Sequence, residues 1–237
     1  METLDIEQLA AYLSRDVREV GKLANRGVLP GRRVNGEWRF ARAEINHWLE
    51  GRLHEYSEDE LSALESAHAV EVEEPLLANL MCETLVAVPL CAATRSSVLR
   101  ELVKLAGTAW QVYDEDAVLQ AIGEREEMGS TALPNGVAIP HAHRPLGDGV
   151  LGEPLVAFGQ TSRALPFGGP RGGLTDLFFL VLSKDDRTHL RVLARLARLM
   201  LREGLVEQLR AAGAPAEAYE LIVQAERELL GREPSGS

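Results

Sequence analysis

The run Asp176-Leu177-Phe178-Phe179-Leu180-Val181-Leu182 constrains the fold most. A strand with consecutive apolar side chains has no face to give to water, so it must be covered on both sides. Leu155-Val156-Ala157-Phe158 is a second candidate of this kind, Gly136–Pro140 a third, and Thr84–Leu90 alternates like a strand. Helical patterns surround them. Ser96 and Ser97 can cap a helix that turns Val98, Leu99, Leu102 and Leu105 inward. Asp114 opens another with Ala117, Val118, Ala121 and Ile122, and three more fall near 188–202, 203–212 and 215–230. The expectation is an α/β layer architecture over 76–231, a buried mixed sheet with flanking helices.

A chain of 237 residues, 46% hydrophobic and 26% charged, can build such a core, and its length allows one large or two small domains. No apolar run reaches the length of a membrane helix, and the acidic start Met1-Glu2-Thr3-Leu4-Asp5 does not resemble a signal peptide. Cys82 and Cys91 form no CxxC pair, which argues against a disulfide framework or a cysteine-based zinc site and favours the cytoplasm.

The net charge of −11 hides a segregation. Residues 54–74 hold eight acids and no Lys or Arg, whereas 15–42 hold eight basic residues against three acids. A local positive surface can serve a polyanion even in an acidic protein. Asp5 and Gln8 cap a helix carrying Ile6, Leu9, Ala10 and Leu13. Ser14 is expected to stop it and cap the next helix, which turns Val17, Val20, Leu23 and Ala24 inward and stops at Gly27. Asn35-Gly36 then marks a two-residue hairpin, pairing Val34 with Glu37, Arg33 with Trp38 and Arg32 with Arg39. A third helix at 41–49 supplies Ile45, Trp48 and Leu49. The expected divisions are a module at 1–53, an acidic linker at 54–75, extended or partly helical, the α/β domain at 76–231 and a tail at 232–237.

Residues 4–50 resemble the excisionase-type, MerR-like winged helix-turn-helix domain. The resemblance rests on Leu9-Ala10, Leu13-Ser14, Val17, Gly27-Val28-Leu29-Pro30, Gly36-Glu37-Trp38-Arg39-Phe40, Glu44-Ile45 and Trp48-Leu49. It implies DNA binding, with Arg15, Arg18 and Lys22 on the second helix and Arg32 and Arg39 on the wing as the candidate contacts. The competing reading is a small protein-interaction module, because a solvated helix face carries the same charges.

Arg125-Glu126-Glu127-Met128-Gly129-Ser130-Thr131, followed by Gly136-Val137-Ala138-Ile139-Pro140-His141-Ala142, resembles the type-2 enzyme IIA domain of the phosphoenolpyruvate:sugar phosphotransferase system, its mannitol/fructose and nitrogen-regulatory branch. A second landmark is the apolar strand followed by His189-Leu190, Leu193, Leu196 and Leu199. The resemblance implies that His141 is the phosphorylated residue, with His189 and Arg125 beside it. The chain departs from the family after that histidine, where it has Ala142-His143-Arg144. The basic function there is shared by His143 and Arg144, or is shifted one residue.

The chemistry agrees with that assignment. A phosphoryl acceptor needs one unprotonated ring nitrogen and an anchor on the other. A strand ending in Pro140 delivers His141 to the sheet rim, where Arg125, His189 and the Asn135-Gly136 amides can meet phosphoryl oxygens. His141 and His143 lack a third partner for a metal, no cofactor is implied, and Phe167–Gly173 lacks the features of a nucleotide loop and reads as a flexible loop.

The leading expectation is a cytoplasmic regulator that takes a phosphoryl group on His141 from an HPr-type phosphocarrier and binds duplex DNA, where tight binding calls for a homodimer. The alternative is a phosphocarrier that serves a separate enzyme IIB and permease, with the first module used for docking. Neither reading calls for membrane insertion.

Overall fold

The computed structural model describes residues 2–69 and 75–231. The expected tail at 232–237, and residues 70–74 of the expected linker, lie outside them.

The N-terminal module begins with strand β1 (Thr3–Leu4) and helix α1 (Ile6–Tyr12). Asp5 accepts from the Gln8 amide and Gln8 returns the bond to the Asp5 amide, a reciprocal cap. Helix α2 (Val17–Asn25) is capped by Asp16, not Ser14. Ser14 instead takes a left-handed turn at φ 53°, which leaves the short Asp16 carboxylate to reach the Arg18 and Glu19 amides. Strands β2 (Arg32–Val34) and β3 (Glu37–Ala41) form the hairpin, with Arg32 opposite Arg39, Arg33 opposite Trp38 and Val34 opposite Glu37. Asn35 and Gly36 both take positive φ, as this tight turn requires. β1 pairs with the other edge of β3, a third strand too short to show in the sequence. Phe40 is fully buried, Trp38 stacks on it at 5.8 Å, and helix α3 (Arg42–Glu50) closes the module with Ile45 and Leu49.

The described part of the acidic stretch takes the partly helical form of the two expected. A single helical turn at Leu53–Glu55 leads into helix α4 (Glu58–Ala67), whose start is held by a Ser57/Glu60 capping box. After helix α5 (Leu76–Leu80) the chain forms strand β4 (Val86–Ala87), helices α6 (Arg95–Gly107) and α7 (Glu115–Glu127), and strand β5 (Val137–Ala138). Strands β6 (Leu155–Pro166) and β7 (Leu174–Leu182) follow, then helices α8 (Asp186–Met200), α9 (Leu205–Ala211) and α10 (Pro215–Leu230).

Three expected details change. β4 is only Val86–Ala87, because 83–85 form a helical turn and Pro89 has no amide to continue the ladder. α6 is capped by Thr94, with Ser97 as its reciprocal partner inside the helix. Phe167 in the glycine-rich connection is fully buried and Pro170–Gly172 forms a helical turn, so the segment is a structured β6–β7 link.

The sheet order is β4-β6-β7-β5. β6 and β7 are antiparallel, while β4 with β6 and β5 with β7 are parallel, so the sheet is mixed. Alternation sends Phe178, Leu180 and Leu182 to one core with α6 and α7, and Leu177, Phe179 and Val181 to the other with α8 and α10. This second core runs on without a break through Leu61 and Leu64 of α4 to Leu49, Ile45 and Leu9 of the N-terminal module.

Charge fastens the same junction. Arg195 Nε donates to Glu65 Oε1 at 2.8 Å and Arg195 Nη1 to Glu226 Oε1 at 2.6 Å. Arg198 bridges Glu65 and Glu58, each at 2.8 Å. Glu226 also accepts the Leu77 and Ala78 amides. Glu58 and Glu65 of the charge-segregated stretch are thus partners of α8, and Arg195, Glu65 and Glu226 are buried, where unpaired charge is costly.

Candidate functional site

His141 follows β5 through Ile139-Pro140 and is fixed by the sheet. The Val181 amide donates to the Pro140 carbonyl at 2.9 Å. The ring then folds back so that Nδ1 lies 2.7 Å from the Ile139 carbonyl. A carbonyl only accepts, so the proton sits on Nδ1 and the neutral ring carries its lone pair on Nε2. Burial pushes the His141 pKa down, and the Glu50 carboxylate pulls against that shift.

His189 stands in the first turn of α8, which Asp185 caps by accepting the Thr188 amide at 2.8 Å. Its ring centroid is 4.9 Å from that of His141. Arg125 lies in the last turn of α7, and its Nη1 donates to the Gly129 carbonyl at 2.9 Å. The next residue, Glu126, accepts the Thr131 amide at 3.0 Å and Arg95 Nη2 at 2.6 Å, which holds the Ser130-Thr131 loop against the end of α7.

These three side chains meet a fourth that the sequence reading did not single out. Glu50, the last residue of α3, reaches in from the N-terminal module. His189 Nε2 donates to Glu50 Oε1 at 2.9 Å and Arg125 Nε donates to Oε2 at 3.0 Å. The same Oε2 lies 3.1 Å from His141 Nε2, which has no aligned hydrogen bond. Burial works against the charge on Glu50. The neighbouring imidazoles, His141 foremost, more than offset it and hold the carboxyl well below the usual carboxylate range. One signal could have exposed Glu50: an acid in the last turn of a helix opposes the helix dipole and needs an outside reason.

Arg125, His141 and His189 are therefore brought together, but they are buried beneath α3 and not exposed at a rim. Asn135 of the Asn135-Gly136 turn lines the same cleft, of about 330 Å³, yet the Gly136 amide is used locally. Gly136 donates to Leu133 and Val137 to Asn135 Oδ1. His143 is half-buried with its ring edge-on to His47 at 5.6 Å, and Arg144 is exposed. Glu50, His141 and His189 offer ligand atoms within 4.8 Å of one another, a set that a metal ion could use. The Arg125 guanidinium on the same carboxylate already supplies the positive charge, so the side of the pocket formed by α7, α8 and the segment after β5 (two imidazoles and a guanidinium) is built for an anion.

Two family models match. One, phosphoenolpyruvate-dependent sugar phosphotransferase system, EIIA 2, covers residues 79–225. The chain belongs to this EIIA family. The other, a helix-turn-helix domain, covers residues 3–53. The EIIA part is 32% identical over 131 residues to a nitrogen regulatory protein of Bradyrhizobium diazoefficiens, covering 54% of this chain and 83% of that one. It is 30% identical over 132 residues to the fructose-specific EIIABC component of Bacillus subtilis, covering 55% of this chain but only 20% of that much longer protein. Among solved structures, nitrogen regulatory protein IIA-Ntr of Neisseria meningitidis superposes with a TM-score of 0.56 at 25% identity, over 62% of this chain and 99% of its own. IIA mannitol of Escherichia coli shares the fold, with a TM-score of 0.53 at 20% identity, over 60% of this chain and 98% of its own.

On the helix-turn-helix side of this EIIA protein, Arg18, Lys22 and Arg32 are exposed. Arg39 pairs with Glu37 at 2.7 Å. Arg15 pairs with Glu19, and with Glu60 of α4 at 3.1 Å, and its guanidinium lies over the Tyr56 ring. The acidic stretch thus reaches one member of the basic cluster. Among the described residues, no helix is long and apolar enough to cross a membrane.

Proposed function

We propose that the EIIA domain accepts one phosphoryl group on Nε2 of His141 from a phosphohistidine carrier of the HPr class. The helix-turn-helix module binds duplex DNA, so that phosphotransferase state is coupled to transcription in the cytoplasm. The observation that carries the first part is the 2.7 Å contact between His141 Nδ1 and the Ile139 carbonyl. It anchors one nitrogen and leaves the other as a nucleophile of fixed direction. His189 and Arg125 are the donors for the phosphoryl oxygens. Phosphoryl transfer needs chiefly this positioning and charge compensation.

DNA binding is supported by the hairpin register, which puts Arg32 on the wing, and by the exposure of Arg18 and Lys22 on α2. The deciding experiment incubates the full chain with phosphoenolpyruvate, enzyme I and an HPr-class carrier and reads its intact mass. The wild type gains one acid-labile phosphoryl group and His141→Ala gains none. Retained labelling in that variant assigns the acceptor to another residue.

A further inference from the structure

Glu50 has only a long contact within its own helix, His47 Nδ1 at 3.9 Å from Oε2, to account locally for its place. As the last residue of α3 it faces the negative end of the helix dipole. Its side chain is 2% exposed, although burying a carboxylate costs free energy unless it is paired. The groups that hold it, Arg125 and His189, belong to the EIIA domain, as does the His141 nitrogen it blocks. A negative group at this point satisfies the phosphoryl-binding donors while no phosphoryl group is present.

We propose that Glu50 is a built-in stand-in for the phosphoryl group: in the closed chain its carboxylate fills the phosphoryl position and masks His141, and phosphorylation of His141 and seating of α3 exclude each other. This inference rests on the phosphoacceptor reading above.

The geometry makes the exclusion strict. A phosphoryl group bonded to Nε2 of His141 would fall where Glu50 Oε2 now stands, 3.1 Å from that nitrogen. Its oxygens would take the same two donors, His189 Nε2 and Arg125 Nε. Holding both would set a charge of about −1.5 to −2 against a buried carboxylate, an arrangement that low dielectric makes prohibitive. The closed state is also closed to the phosphate donor, because His141 is 3% exposed and a carrier's phosphohistidine must approach Nε2 in line with the bond it forms.

The transfer balances without a further reactant. α3 lifts, and the Nε2 lone pair of neutral His141 forms the new N–P bond. The carrier's N–P bond breaks and its electron pair returns to the carrier's nitrogen. The Nδ1 proton of His141 stays on Nδ1, donated to the Ile139 carbonyl, throughout. His189 and Arg125 pass from Glu50 to the phosphoryl oxygens, so the seat that held α3 is filled and the N-terminal module is released from it. Arg18, Lys22 and Arg32 are exposed even in the closed chain, so release changes the orientation of the DNA-reading face and does not uncover it.

The test compares initial rates of phosphoryl incorporation into full-length wild type, Glu50→Gln and Glu50→Asp, supplied by an HPr-class carrier. Glu50→Gln keeps the shape and removes the charge, and should accept phosphoryl about tenfold faster or more, with Glu50→Asp between it and wild type. In parallel, backbone hydrogen exchange over residues 42–50 is read in the wild type before and after phosphorylation, and should rise about tenfold or more in the phosphorylated chain. Equal rates in wild type and Glu50→Gln, or unchanged exchange in α3, overturn the stand-in role while leaving the acceptor in place. No incorporation into any form overturns the acceptor reading and the stand-in with it.

Discussion

Glu50 and His189 are 139 residues apart in sequence, in two separately recognisable modules, yet His189 Nε2 donates to Glu50 Oε1 at 2.9 Å. With the phosphoryl-binding role proposed for it, the contact would make His189 a member of two arrangements, one with a carboxylate and one with a phosphoryl group.

His189→Ala should therefore act on both. It removes a donor to the transferring group, and it removes one of the two bonds that seat Glu50. The rate of phosphoryl transfer in a Glu50→Gln background, where seating is already weakened, isolates the first effect. The further substitution should slow transfer by about tenfold to a hundredfold there. Full-speed transfer in the double variant would mean that His189 serves only the closed state.

The buried network between α4 and α8 should be the strongest single link between the modules. Glu65→Ala leaves Arg195 and Arg198 short of a partner in a buried junction, and should cost about 3 kcal/mol in urea unfolding. A loss below about 1 kcal/mol would show that Glu226 and Glu58 alone suffice for the two arginines.

Acid should loosen the molecule. His47, His68, His141 and His143 all have folded pKa values below the ordinary histidine value, with burial as the first cause in each. The stability from keeping them neutral is fully present above about pH 6.5 and is lost as the pH falls through the depressed values. The depressed Glu50 carboxyl acts in the same sense at still lower pH. The thermal midpoint of the full chain, read in steps of about half a pH unit, should stay level from pH 7.5 to about 6.5 and fall from there to 5.5. A midpoint that rises on acidification would contradict these assignments.

DNA binding should be salt-sensitive and should depend on the exposed cations first. Arg18→Ala, Lys22→Ala and Arg32→Ala should each lower the slope of log K against log salt by about one unit. Arg39→Ala and Arg15→Ala should lower it less, since Glu37 and Glu60 already hold those side chains. A fluorescence titration of the full chain on duplex DNA at several salt concentrations reads the slopes. Absence of binding at low salt would leave a protein-interaction module.

The legible parts of this chain are those written locally. Asn35-Gly36 fixes the hairpin register because few residues tolerate the two positive φ angles. The apolar run ending at Leu182 marks the central strand because a wet face is missing. The motif around His141 and the distant His189 also point to one place, and their rings lie 4.9 Å apart. What stays hidden is tertiary. The acids of α4 resemble a solvated spacer until Arg195 and Arg198 are set opposite them, and these lie on another element. Glu50 sits within a module that local patterns explain without it, and only the docking of α3 on the EIIA domain reveals its use.

The most direct test of the account is the nitrogen that carries the phosphoryl group. Phosphorus–nitrogen coupling in the phosphorylated, histidine-¹⁵N-labelled full chain distinguishes the two ring positions. The Ile139 carbonyl on Nδ1 predicts phosphorylation of His141 at Nε2, the atom Glu50 masks in the closed chain. A phosphoryl group on Nδ1 of His141, or on His143 or His189, would contradict it.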